Sequence, residues 1–425
     1  MNSYEWSNFS LIVNALIWVI TFLVYQYRTR YFGVGSGILL LYTIASIMAI
    51  SLYNHSFRYI NITLFPFLYL FFMIILASYP ILSIKERGIR RIIPPNHKVF
   101  KLVCIVIIVF SFVSLPNTII SIHDNLIKII LDNSYGSEVY GKQTLAVTTK
   151  TTSQFNILAI LGGMCGQVAI IFFMYCLTLE KRNRFLLCGL GISSLIGPLG
   201  SVANGGRFSL AVFIFNSTFL FVFIRRFISP SLRSKVTKII LIIGIILFIP
   251  FMAITISRNN GDYDKSIRMI GDYISQGFIH FNNYGLDAGG TREGDYTAVV
   301  FKYVTGMNPA MYYSSRLSKY SHMKLDETVF YTFVGDFTLD YGPILAFLIF
   351  LLTSLFFKRC LKIRNNEISF QQYLMFYLLM VGCLGYFQFP LGRTDGNLVI
   401  IILIMLSFLF KYSSDIDSRK TRSRY

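Results

Sequence analysis

The chain has 425 residues, 54% of them hydrophobic and only 14% charged, with a formal net charge of +19. Repeated apolar runs of about 20 residues exclude a soluble globular enzyme and fit the thickness of a bilayer. The basic excess lies in short scattered segments, which excludes a nucleic-acid surface and leaves anionic membrane lipid as its partner.

Eleven apolar stretches are predicted to span: 8–26, 33–53, 62–84, 102–122, 154–179, 185–203, 208–224, 239–257, 341–357, 368–388 and 397–410. Lipid offers the backbone no hydrogen bonds, so each is expected to be a helix. Glu5, and no Lys or Arg, precedes the first run. Residues 1–26 are therefore expected as a true span and not a cleaved signal. The expected fold class is all-α, a polytopic transmembrane bundle of about 11 spans. It divides into residues 1–257 (spans 1–8), a large loop over 258–340, and residues 341–425 with spans 9–11 and a basic tail.

Orientation is set by positive charge. The segments 27–32, 85–101, 180–184, 225–238, 358–367 and 411–425 hold 25 of the 39 lysines and arginines. They alternate with segments poor in positive charge, which predicts the N-terminus outside and the C-terminus inside. The large loop then lies outside. Cys104, Cys165, Cys176, Cys188, Cys360 and Cys383 fall in spans or inner segments. No disulfide framework and no metal-ligand spacing is expected, and neither a metal nor a cofactor is predicted. No internal repeat appears, which argues against a secondary transporter. Gly162-x-x-x-Gly166 marks a close helix contact.

Two short outer turns each carry a Gly-Arg step: Ser201–Arg207, with Asn204, Gly205 and Gly206, and Pro390–Gly396, with Gly392 and Arg393. Glycine lets backbone amides approach a ligand, and a guanidinium beside them offers a fork suited to phosphate. Tight turns whose arginines snorkel to headgroups read equally well.

Within the large loop, Ile267, Ile270, Ile274, Phe278 and Phe281 form one helical stripe. It predicts an amphipathic helix flat on the outer leaflet, with a helix packed as ordinary core the alternative. A Gly- and Asp-rich stretch comes next with Arg292 in it, and Asp295 is placed to cap a helix over 296–304. Tyr296, Tyr312 and Tyr313 stand among many aromatics, read as an interfacial belt or as a platform for sugar rings. Asp336 and Asp340 are four apart, so on a helix they share a face. They read as a general base with its neighbour, or as charges complementing a helix dipole.

Four stretches together resemble the Wzy-type oligosaccharide repeat unit polymerases of bacteria. They are Gly205-Gly206-Arg207, Tyr273–Asn282 (YISQGFIHFN), Gly294–Val304 (GDYTAVVFKYV) and Val329–Pro343 (VFYTFVGDFTLDYGP). Their order, and a large outer loop late in the chain, are similar too. The resemblance implies a glycosyltransferase of the bacterial cytoplasmic (inner) membrane that needs no nucleotide sugar. It would move a growing glycan from undecaprenyl pyrophosphate to the end sugar of a new lipid-linked unit, building O-antigen or a similar surface polysaccharide. The partners implied are undecaprenyl-pyrophosphate-linked oligosaccharides, membrane lipid and a chain-length regulator protein. Arg207 matches the family's outer-loop arginine motif, while Arg292 and Arg393 are added on position and chemistry.

Arg207, Arg292 and Arg393 are expected to hold the pyrophosphate, and Arg207 also counts as catalytic. Asp336 or Asp340 is expected as the catalytic base, and Tyr296, Tyr312 and Tyr313 are expected to bind glycan. An O-antigen ligase is the alternative enzyme, resting on an outer-loop histidine, His280 or His322. A lipid-linked oligosaccharide flippase is the non-enzyme alternative, and it requires a charged central cavity and two similar halves.

Overall fold

The computed structural model describes residues 3–126, 128, 154–203, 206–259, 261–311, 313–325 and 329–422. In chain order its helices are α1 (Ser3–Thr29), α2 (Val34–Ser56), α3 (Leu64–Leu82), α4 (His97–Val113), α5 (Leu115–Ser121), α6 (Gln154–Thr178), α7 (Arg184–Ala203) and α8 (Phe208–Ile224). Next come α9 (Pro230–Arg258), α10 (Tyr263–Tyr284), α11 (Val299–Val304), α12 (Tyr313–Lys319), α13 (Thr332–Cys360), α14 (Phe370–Cys383) and α15 (Arg393–Arg422). Among the described residues the only strands are β1 (Arg91–Ile93) and β2 (Glu367–Ser369), paired in parallel with Ile92 opposite Ile368.

The protein is thus all-α, and it is a multi-pass membrane protein. Among the described residues, α1, α2, α3, α7, α8, α9, α13 and α15 are long and apolar enough to cross a bilayer. The pair His97–Val113 and Thr118–Asn125, bent by 45°, would count as a further span. Gly162–Thr178 and α14 are apolar but shorter.

The chain forms two compact units, neither of them continuous in sequence. The first comprises Met1–Gly88, Ile267–Ile363 and Leu378–Asn397. The second comprises Ile89–Ser266, Arg364–Tyr377 and Leu398–Tyr425.

In the second unit α4, α6 and the start of α14 share an aromatic core, in which Phe100 meets Phe172 at 5.7 Å and Phe370 at 5.6 Å. The expected close contact at Gly162 and Gly166 is present. A methyl at Gly166 would lie 2.8 Å from the Ser193 carbonyl oxygen, and one at Gly162 would lie 2.5 Å from Ser114 Oγ. Helices α7, α8 and α9 close over Val202, Leu210, Leu247 and Ile254.

In the first unit, Trp18 of α1 stacks on Tyr42 of α2 at 5.3 Å. Phe278 of α10 enters this cluster, 6.4 Å from each of Trp18, Tyr42 and Phe67. Asn282 closes the helix onto the turn before α3, donating to the Thr63 carbonyl at 2.7 Å and accepting from the Thr63 amide at 3.1 Å. The stripe expected to lie flat on lipid therefore divides. Ile267 is 63% exposed, whereas Phe278 and Phe281 are fully buried against protein. An apolar stripe covers lipid and protein equally well, so its period alone does not separate the two.

Two breaks in the helices of this unit create a buried irregular segment. Helix α13 is split at Gly342, whose φ of 76° lies in the left-handed region, and Pro343 comes directly after it. Proline lacks the amide that a continuous helix would use. Thr332–Tyr341 is thereby a separate helical piece, and the expected ninth span at 341–357 is its continuation to Cys360. Helix α14 ends at Cys383, short of the expected span 368–388. Residues 384–392 run without helix and are almost wholly buried. Buried backbone needs partners, and here the carbonyls of Gly385 and Phe387 accept from the amides of Phe333 (2.7 Å) and Thr332 (2.9 Å).

Candidate functional site

The piece Thr332–Tyr341 carries Asp336 and Asp340 one turn apart, as their spacing predicts, and Arg292 reaches both. Its Nε donates to Asp340 Oδ1 at 2.8 Å. Its Nη2 donates to the Asp336 carbonyl at 3.1 Å and to Asp336 Oδ1 at 3.3 Å. The Arg292 amide donates to the Leu339 carbonyl at 2.8 Å, which fixes the loop along the helix. All three ionisable side chains are buried. A buried charge persists only where it is paired and hydrogen-bonded.

The two aspartates differ in the acceptor capacity they keep. Asp340 Oδ2 accepts from the Thr297 amide and hydroxyl, both at 2.7 Å, and from the Tyr296 amide at 3.3 Å. With Arg292 on Oδ1, Asp340 meets four donors, against two for the Asp336 carboxylate. Asp336 Oδ2 accepts the Phe389 amide, at 2.7 Å, from the buried irregular segment. Asp336 also lines a small cavity of about 30 Å³ with Arg292, Tyr296, Arg316, Gln388 and Arg393.

Tyr296 lines that cavity, and three of its arginines converge on the ring. The guanidinium carbons of Arg292, Arg316 and Arg393 stand 5.2, 5.5 and 5.9 Å from its ring centroid. Cations are held over an aromatic face by the ring quadrupole. Gly392 makes this packing possible, because a methyl there would sit 2.6 Å from Tyr296 Cε1. The Arg393 amide donates to the Tyr296 carbonyl at 2.7 Å. Burial pushes the Tyr296 hydroxyl well above its ordinary pKa and Asp336 adds to this, while the three arginines oppose it; it is a neutral phenol.

The sequence reads Tyr296 as part of an interfacial belt or as a platform for sugar rings. In the structure its ring is buried, with three guanidinium groups around it. Arg316 is a site residue that the sequence does not mark. It is 2% exposed and donates to the Met311 carbonyl at 3.4 Å. In the sequence it is one basic residue of a short polar helix, YSSRLSK, indistinguishable from a solvated charge. Tyr312 lies outside the described residues, as does the side chain of Tyr313, which opens α12.

Asp295 does not cap a helix: α11 begins at Val299, with Ala298 at the cap position. Its carboxylate is buried and ties the loop together. It accepts from Lys302 Nζ, from Lys319 Nζ at 2.9 Å, from Tyr320 Oη at 2.7 Å and from the Ala310 amide at 3.0 Å. Burial alone would raise its pKa, but these donors outweigh burial and hold it at about 2.

Three non-glycine residues beside the cavity have left-handed backbone: Glu293 (φ 52°), Thr332 (φ 70°) and Arg393 (φ 60°). For β-branched Thr332 this is costly, and such strain concentrates at functional sites.

Arg207 belongs to the second unit, where it is buried and its Nη1 donates to Thr255 Oγ1 at 2.9 Å. Gly206 closes its turn onto the Ser201 carbonyl at 2.8 Å, while Asn204 and Gly205 lie outside the described residues. His280 is buried edge-on between Phe57 (5.2 Å) and Tyr331 (5.9 Å), and His322 is exposed. Neither lines the cavity. No known family model matches this chain, and no curated protein or solved structure matches it.

Proposed function

We propose that this protein is a polysaccharide polymerase of the bacterial cytoplasmic membrane, acting on glycans linked to undecaprenyl pyrophosphate. The observation that carries the reading is the convergence of Arg292, Arg316 and Arg393 on one tyrosine, with Asp336 in the same cavity. Three guanidiniums are thus brought together around one buried ring. Arginine forks match the paired oxygens of a diphosphate. The family resemblance and the predicted placement of 258–340 outside supply the rest, with eleven spans, the N-terminus out and the C-terminus in.

In the reaction proposed, a hydroxyl oxygen of the acceptor unit attacks the anomeric carbon of the donor glycan. A glycosidic C–O bond forms, and the bond from that carbon to the pyrophosphate oxygen breaks. The hydroxyl proton passes to Asp336, which has lone pairs to spare at the cavity. The leaving undecaprenyl pyrophosphate takes up negative charge, which the arginines stabilise. Asp340 is a positioning residue, met by four donors and holding Arg292 in place. Arg207 enters through the resemblance.

The test is the surface polysaccharide of a deletion strain carrying variants at normal protein level. Arg292→Ala with Arg393→Ala is expected to yield a single repeat unit on the core. Full-length polymer from that double variant would overturn the reading.

A further inference from the structure

We propose that Gln388 recognises a hydroxyl of the sugar that is joined directly to the phosphate held by the arginines. This rests on the reading of the cavity as a glycosyl diphosphate site. Gln388 lies on the buried irregular segment 384–392 and is 8% exposed. Its neighbours are pinned on both sides: the Phe387 carbonyl accepts from the Thr332 amide at 2.9 Å, and the Phe389 amide donates to Asp336 at 2.7 Å. Gln388 lines the cavity, its carboxamide makes no hydrogen bond among the described residues, and its polar atoms are not sealed from solvent. A carboxamide so placed can take its partner from a ligand.

The chemistry of the carboxamide selects the partner. Phosphate oxygens only accept, and a guanidinium, which only donates, is the group suited to them. A carboxamide both donates and accepts, and so does a hydroxyl. Tyr296 and the arginines then fix the phosphate while Gln388 reads the adjoining sugar.

The test uses the full chain, purified in detergent, and two phosphate monoester probes of equal charge: glucose 1-phosphate and ethyl phosphate. The wild type is expected to bind glucose 1-phosphate about tenfold more tightly, the worth of one hydrogen bond. In Gln388→Met, a near-isosteric replacement, that preference should fall below about twofold while ethyl phosphate binding stays within about twofold. A Gln388→Met protein that keeps the full preference overturns the assignment, and so does a wild type that shows no preference. Arg292→Ala separates this from the underlying reading, because it should weaken both probes together. If Arg292→Ala weakens neither, the anion site itself is wrong, whatever Gln388 does. Should Gln388→Met fail to run as a monodisperse species, Gln388→Leu takes its place in the same comparison.

Discussion

Arg292 and Asp340 meet at 2.8 Å in a place where both side chains are buried, and they are 48 residues apart in the chain. The pair joins the large loop to the first piece of α13. Removing one member of a buried pair strands the other, at about 3–5 kcal/mol. Asp340→Ala should therefore lower the thermal midpoint of the detergent-purified protein sharply. A midpoint within experimental scatter of the wild type would show that the pair does not hold the loop.

Asp336 should behave differently. Its carboxylate accepts one guanidinium bond and one amide bond and faces the cavity. Asp336→Asn keeps the shape and is expected to fold while polymer formation on a surface-polysaccharide gel is abolished. Normal polymer from Asp336→Asn would remove it as the base.

Gly392 is predicted to tolerate no side chain. The methyl of Gly392→Ala would lie 2.6 Å from the Tyr296 ring, and overpacking of this kind costs about 1–3 kcal/mol. The ring must shift, and Arg292, Arg316 and Arg393 lose their common platform. Inorganic pyrophosphate binding by calorimetry should weaken at least about tenfold, a change of about 1.4 kcal/mol.

The Asp295 carboxylate gives a pH dependence. Its pKa falls from 3.8 unfolded to about 2 folded. The stability it contributes is present above about pH 4 and is lost as the pH falls toward 2. With one pKa unit worth about 1.4 kcal/mol, up to about 2.5 kcal/mol is at stake. A melting series between about pH 5 and pH 2 should show this loss, and Asp295→Asn should be destabilised at the upper end and flatter across the series. Parallel curves for the two proteins would refute it.

Histidine offers a check between enzyme classes. His322 is exposed and outside the cavity, so His322→Ala should leave polymer length unchanged. Loss of all polysaccharide from the core in that variant would point to a ligase.

The aspartate pair is legible in the sequence because its spacing is local: residues four apart share a helical face whatever the tertiary structure. Arg292 and Arg393 stand out as charges in glycine-rich turns. Arg316 and Gln388 do not, since each looks like an ordinary polar residue until three distant stretches, 292–316, 336 and 388–393, are brought together. The stripe from Ile267 to Phe281 is visible as a period, but the period does not name its partner, and Phe278 meets Trp18, Tyr42 and Phe67 where lipid is expected.

The amino-acid sequence by itself determined the membrane class and the helical state. Lipid acts on each apolar stretch separately, and a backbone without water has to bond within itself. Only the tertiary structure decided which charges are buried together, that helix α14 stops at Cys383, and that Gln388 of the freed segment 384–392 lines one cavity with Tyr296. Those outcomes depend on packing between residues far apart in the chain, where no local period or spacing carries the information.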